Sequence, residues 1–194
     1  MPRPKTFDET EVLDRAVALF WKQGYHSTSM QDLVNTLGIN RASLYDTYGS
    51  KRSLFDKALE RYRMTNQKGM DEFLAGKNSV KEGLKELFEV AIGKNDGSDT
   101  EKGCFVVNTT TELLPDDQEI LKALSENKIA IERIFENYLS KGVQNGEISK
   151  KLDIKAYASL LFTQYNGIKV LSKISRDRQE LSDSVTLMLG ILDG

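Results

Sequence analysis

The sequence predicts an all-α protein: an N-terminal three-helix helix-turn-helix domain followed by a larger C-terminal helical domain. Three observations carry that reading. Apolar residues recur three and four apart along most of the chain. Only 3 of 194 residues are Pro and 8% are aromatic, a poor match to a β-sandwich. The β-branched run within Gly103 to Leu113 finds no partner strand elsewhere, so a short buried helix is the better reading there. Hydrophobic residues at 39% and charged residues at 29% suit a chain that buries its own core.

Asp8 to Lys22 reads as the first helix, because Val12, Leu13, Ala16, Leu19 and Phe20 fall on one stripe. Thr6 or Asp8 is placed to cap its start, Glu9 and Glu11 favour the positive end of its dipole, and Gly24 ends it. Ser29 or Thr28 caps a second helix, Met30 to Leu37. Gly38 then takes a positive φ where the chain reverses, Ile39 buries as the pivot, and Asn40 caps a third helix, Arg41 to Tyr48. This helix keeps Leu44 inward and leaves Arg41, Ala42, Ser43, Tyr45 and Thr47 to face outward or sideways. Ser50 caps a fourth helix, Lys51 to about Ala75. Two short helices joined by a tight turn around a Gly, with a supporting helix before them, describe a helix-turn-helix. The third helix suits a major groove: Arg pairs bidentately with guanine, and Ser and Thr reach phosphates or base edges.

The periodicity stays helical beyond residue 64. Val80, Leu84, Leu87, Phe88 and Ala91 make an amphipathic helix ending near Gly93, and residues 94–102 read as a polar loop. After the short helix, Leu114-Pro115-Asp116-Asp117 begins a long one that runs to about Lys141, and Asn145-Gly146 marks a turn. Ile154 to Ser175 and Leu181 to Leu192 are the last two helices. Both carry more apolar residues than one stripe holds: Tyr157, Leu160, Leu161, Phe162, Tyr165, Ile168 and Leu171 exceed one on the first, and Leu187, Leu189 and Ile191 lie off the Leu181, Val185, Met188 and Leu192 row on the second. One chain offers one core, so a partner chain is expected to cover the surplus in a two-fold four-helix interface; a fully interior helix pair of a single chain is the competing reading. The expected interface residues are Tyr157, Leu161, Ile168, Leu181, Val185, Met188 and Leu192.

Charge adds a hint about the partner. The net charge is -2, yet residues 1–64 hold ten Lys and Arg against eight Asp and Glu, and residues 38–63 hold six against three. A local basic excess there marks either a phosphate-facing surface or a solvated helix face. A single Cys excludes an intramolecular disulfide and any multi-cysteine metal site, and no cofactor is expected. No apolar run approaches the roughly 20 residues of a membrane helix, and the basic N-terminus lacks the apolar stretch of a signal peptide. The chain is expected in the cytoplasm, away from the membrane. Arg3 and Lys5 form either a groove-reaching arm or a frayed tail.

The pattern Ala16-x3-Phe20-x3-Gly24-Tyr25-x2-Thr28-Ser29-Met30-x-Asp32-Leu33-x4-Gly38-Ile39-x4-Leu44-Tyr45-x2-Tyr48-x2-Lys51-x2-Leu54 resembles the DNA-binding domain of TetR/AcrR-family transcriptional regulators. The resemblance covers about residues 8–60. It implies a homodimeric regulator, most often a repressor, that binds a palindromic double-stranded DNA operator and is released by a small-molecule inducer. Residues 1–50 would form the DNA-binding domain, with the fourth helix linking from 51, and residues 51–194 the ligand-binding and dimerisation domain. Carried over by position, Tyr45 packs on the DNA backbone, and Lys51 and Ser29 reach phosphates. Gln31, Arg41, Ala42 and Thr47 stand where phosphate or base contacts are common. Tyr48 replaces the more usual Phe. Asp46 stands where a neutral residue is common, and would have to pair with Arg41 or Lys51 or accept from a cytosine amino group. Two recognition helices must meet successive major grooves about 34–36 Å apart.

The ligand is less legible. Cys104 and Asn108 lie four apart on one helical face beside Phe105, and Phe88, Tyr138, Phe162 and Tyr165 are candidate aromatic walls of a ligand cavity. The Gly-Cys-x3-Asn run with Glu112 after it resembles a subgroup in which that cysteine senses electrophiles; a buried, inert thiol is the competing reading. Two other functions compete. An enzyme would need Cys104 and His26, the only nucleophile–base pair, and they fall in separate domains, so no enzymatic activity is expected. A helical dimeric adaptor without DNA binding has only Asp46 in its favour.

Overall fold

The computed structural model describes residues 7–93, 103–175 and 177–193. Among them the chain forms α1 Glu9–Gln23, α2 Met30–Leu37, α3 Arg41–Tyr48, α4 Lys51–Ala75 and α5 Val80–Ile92. Then follow α6 Phe105–Leu113, α7 Gln118–Gln144, α8 Ile154–Leu171, α9 Arg178–Gly190 and a closing 3-10 turn at Ile191–Asp193. No strand occurs among the described residues. The expected polar loop at 94–102, and Arg3 and Lys5, lie outside them. No helix is long and apolar enough to cross a membrane among the described residues.

Short-range chemistry sets the helix starts. Asp8 caps α1 by accepting the Thr10 and Glu11 N–H groups at 2.7 and 3.4 Å. Ser29 caps α2 in a reciprocal box with Asp32, Asn40 caps α3 through the Ser43 N–H, and Ser50 caps α4 through the Ser53 N–H. Gly38 takes the left-handed conformation, φ 69°, at the α2–α3 reversal. The later boundaries depart from expectation for the same reason. Leu114 to Asp117 stays outside α7 because the Asp117 carboxylate caps it through the Ile120 N–H at 3.0 Å. Asp177 likewise caps α9 through the Gln179 N–H, so that helix begins three residues earlier than its apolar rows suggest. Helix α8 ends at Leu171, where Ser172 and Lys173 close a turn onto Ile168 and Val170.

Two apolar clusters fill the interior. The first joins Phe20, Leu33, Leu37, Leu44, Leu54 and Phe55 of α1–α4 to Phe105 and Leu113 of α6 and Ile120 and Leu124 of α7. The second joins Met70 and Leu74 of α4 to α5, α7, α8 and α9 around Phe88, Phe135, Leu139 and Leu161. Helix α4 runs unbroken through both, so packing continues past residue 50.

The second cluster corrects the interface residues. Tyr157, Leu161, Ile168, Leu181, Val185, Met188 and Leu192 are all buried within the chain itself. They are the inward rows of α8 and α9, packed against α5 and α7, and Tyr157 donates to the Met188 carbonyl at 2.8 Å. The apolar surplus on the opposite faces is what remains exposed: Leu160, Val170, Leu171 and Ile174 along α8 and its end, and Leu187 and Ile191 on α9, with Leu187 79% exposed. Gly167 and Gly190 lie on these faces with open space where a Cβ would stand.

Candidate nucleic-acid interface and its links to the sensor half

Helix α3 is an exposed rod. Leu44 and Tyr48 anchor it inward, the Tyr48 hydroxyl donating to the Glu9 carbonyl at 3.4 Å. Arg41, Ala42, Tyr45 and Asp46 form its outer face, and Ser43 and Thr47 flank it half-buried. The Arg41 guanidinium lies 5.8 Å from the Tyr45 ring centroid, one turn away, presenting cation and aromatic together. Asp46 is exposed and forms no ion pair with Arg41 or Lys51, which stack on rings instead. Its pairing expected from charge is therefore not realised.

Lys51 opens α4. Its ammonium sits 4.5 Å above the Tyr25 ring, which in turn meets Phe55 edge-on at 5.0 Å. The first turn of α4 carries no acidic residue, and Lys51 and Arg52 stand at the positive end of its dipole. Cations at a helix N-terminus oppose that dipole, an arrangement that suits an anion placed there. Ser29 is exposed, and its hydroxyl is engaged in the α2 cap: it donates to the Asp32 carboxylate at 2.6 Å and accepts the Asp32 N–H at 3.1 Å. Hydrogen bonding from that serine holds the Asp32 carboxyl below its usual range. Gln31 is exposed two residues after Ser29, donating to Asn35 at 2.9 Å. The structure thus gathers Ser29, Gln31, Arg41, Ala42, Ser43, Tyr45, Thr47 and Lys51 on elements α2, α3 and the start of α4.

The expected ligand residues fall in two apolar clusters and a groove. Phe88 is fully buried and meets Tyr165 edge-on at 5.9 Å. Tyr138 is buried beside it in the second cluster, donating to the Ser79 carbonyl at 3.1 Å; burial pushes its phenol up to about 12. Cys104 and Phe105 belong instead to the first cluster. Phe105 takes Phe55 and Tyr62 edge-on at 5.6 and 5.5 Å, and the Tyr62 hydroxyl lies 3.8 Å from the Cys104 sulfur. Burial, then the neighbouring cysteine, raise the Tyr62 phenol well above its ordinary value. Lys169 approaches the same place from α8, 4.4 Å over the Tyr165 ring. Burial opposes its charge, but Tyr165 and Cys104 outweigh burial and raise the Lys169 ammonium above its ordinary value. Asn108 accepts from Lys173 at 3.0 Å. Phe162 lines a separate apolar groove of about 350 Å³ between α6, α7 and α8, walled by Val106, Val107, Leu114, Leu121 and Leu124, with Lys128 and Asn166 at its edge.

Two side chains to which motif reading gave no structural role tie the α1–α2 turn and α4 to α6 and α7. Arg52 bridges α4 to the start of α7, pairing with Asp117 (Nη2 to Oδ1, 2.9 Å), with Asp56 on its own helix, and with Glu119. The Arg52 hydrogen bond holds the Asp117 carboxyl below its usual range. Glu112, near the end of α6, accepts the Tyr25 N–H at 3.0 Å and the His26 N–H at 2.7 Å in the α1–α2 turn. His26 itself is exposed against Tyr25, whereas Cys104 is buried against Tyr62. No spacing rule announces pairs 65 and 87 residues apart.

A family model described as bacterial regulatory proteins, tetR family, matches residues 12–58. A second, described as tetracyclin repressor-like, C-terminal domain, matches residues 81–188. The chain is 34% identical over 194 residues to the HTH-type transcriptional regulator YezE of Bacillus subtilis, covering all of both chains. It is 31% identical over 180 residues to the HTH-type transcriptional repressor ComR of Escherichia coli, covering 92% of this chain and 86% of that one. Among solved structures, a cysteine-substituted form of the regulator CifR, complexed with 26-base-pair operator DNA, superposes with a TM-score of 0.84 at 28% identity. It covers 98% of this chain and 99% of its own.

Proposed function

We propose, for a chain that belongs to the TetR family of bacterial transcriptional regulators, that it represses transcription in the cytoplasm as a homodimer on a palindromic operator and lets go when a small molecule acts on its C-terminal half. It has no enzymatic role. The observation that carries the reading is the outer face of α3: Arg41, Ala42, Tyr45 and Asp46 exposed on a helix whose other side is anchored by Leu44 and Tyr48. Arg41 reads a base edge; Tyr45, Lys51, Ser29, Gln31, Ser43 and Thr47 contact the backbone, and Ala42 lets the helix approach closely. Residues 1–50 act as the DNA-reading unit and 51–194 as the sensing and dimerising unit. The dimer forms through the exposed rows of α8 and α9, Leu160, Val170, Leu187 and Ile191, which a second copy covers.

The inducer acts on α6. One side of that helix walls the apolar groove beside Phe162, and its start holds Cys104 against Tyr62, within the field of the Lys169 ammonium. A compound that fills the groove or adds to the thiol must move α6, and α6 holds the α1–α2 turn. Release then follows from a difference in ligand affinity between two dimer states.

Selection of bound fragments from a pool of random duplexes tests the reading. The expected result is an inverted repeat with half-sites about one or two helical turns apart, centre to centre. Failure of the purified dimer to enrich any duplex overturns it in favour of an adaptor.

A further inference from the structure

Glu112 occupies an unusual station. It sits on α6, yet both its carboxylate oxygens are spent on backbone N–H groups of the α1–α2 turn: Oε2 on Tyr25 at 3.0 Å and Oε1 on His26 at 2.7 Å. Hydrogen bonds to an ionised acceptor are about twice as strong as neutral ones. The turn is shaped to admit the carboxylate. Gly24, at φ 82°, has no Cβ, and one built there would stand 2.7 Å from Oε2 and 2.9 Å from Oε1. Behind it, buried Thr28 donates to the Gly24 carbonyl at 2.6 Å and holds the turn rigid. The turn leads straight into the DNA-facing surface: Tyr25 carries Lys51 on its ring, and the chain enters α2 at Ser29 three residues after His26.

We propose that Glu112 is the positioning residue of the DNA-reading unit, fixing the orientation in which α3 and Lys51 are presented and hence the half-site spacing the dimer accepts. This rests on the reading of α3 as the DNA-contacting helix. Besides the apolar cluster that joins α1–α4 to α6 and α7, two polar ties reach this region: Glu112 on the turn, and Asp117, five residues further along the chain, on Arg52 at the start of α4. With both, the two recognition helices of a dimer have a defined separation. Without the first, the turn and α2–α3 keep only their apolar packing against the C-terminal half, and their angle to it is less tightly set.

The experiment takes the selected operator and the same operator with one base pair inserted between its half-sites, and measures the affinity of the intact dimer for each. Amide exchange at Tyr25 and His26 is read in the same preparations. Glu112→Ala is expected to speed exchange at both amides by about tenfold or more, the equivalent of one lost charge-assisted hydrogen bond, and to reduce the preference for the native spacing by a similar factor. Its dependence on salt stays parallel to that of the wild type, because no phosphate contact is removed. Glu112→Gln, which keeps the side chain's size and one acceptor oxygen, leaves one of the two amides protected and decides the case should the alanine variant not fold. An unchanged spacing preference overturns the proposal, even with faster exchange, since Glu112 would then be a local cap. A wild-type dimer indifferent to spacing strikes the reading of α3 itself.

Discussion

Lys51→Ala separates a phosphate contact from a packing contact. In the free protein the ammonium is held 4.5 Å above the Tyr25 ring at the start of α4. Losing that cation–π contact costs about 0.5–1 kcal/mol at a partly exposed site, a fall in Tm of about 1–4 °C for a domain of this size. Losing a phosphate partner acts differently. Each neutralised phosphate contributes about -0.9 to the slope of log K against log salt, and a two-fold dimer loses two, so the slope becomes shallower by about 1.8. The wild-type advantage over the variant then shrinks about twelvefold between about 50 and 200 mM salt. Fluorescence anisotropy on the selected operator across that range measures it. Lys68→Ala is the control: this lysine lies further along α4, exposed and paired with Glu72 at 3.7 Å, and its removal leaves the slope unchanged. Parallel lines for wild type and Lys51→Ala, displaced or not, refute the phosphate contact and reduce Lys51 to a cover for Tyr25.

Three further outcomes follow from the same geometry. Leu187→Arg places a charge on the exposed row of α9, where Leu187 is 79% exposed, and should convert the dimer to a monomer by sedimentation velocity while leaving helical content intact. Asp117→Asn keeps a capping oxygen for α7 but loses the charge opposite Arg52, which retains Asp56 and Glu119; the cost at pH 7 is about 1 kcal/mol by urea unfolding. Because the folded-state pKa of Asp117 is depressed, its contribution is present above the unfolded value of about 4 and fades as pH falls through the folded value, so wild type and variant converge in acid. A thiol-reactive quinone should release operator from the wild type but not from Cys104→Ser; equal release from both removes the cysteine from the switching chemistry.

The DNA-facing half was legible in the residues because its determinants are local. Capping at Ser29, Asn40 and Ser50 and the positive φ at Gly38 act over three or four residues, so α2, α3 and the start of α4 begin and end where the letters place them. The outward face of α3 follows from period and composition once Leu44 is taken inward. Of the expected ligand residues, Phe88 and Tyr138 pack in one cluster, and Cys104 and Phe105 in the other. Composition makes all of them aromatic or apolar candidates, but only packing distributes them between cores.

What the chain's letters determine by themselves is thus the helical period, the caps and the reading helix, since hydrogen bonds and side-chain spacing within a turn do not depend on distant neighbours. Tertiary structure alone decides which flank of a doubly apolar helix turns inward. Helices α8 and α9 carry apolar residues on two sides, and the sides that meet α5 and α7 become core while Leu160 and Leu187 stay exposed. It alone also brings Glu112 to the Tyr25 and His26 amides and Asp117 to Arg52, because a charge finds its partner through the fold of the intervening chain, and no local rule encodes that route.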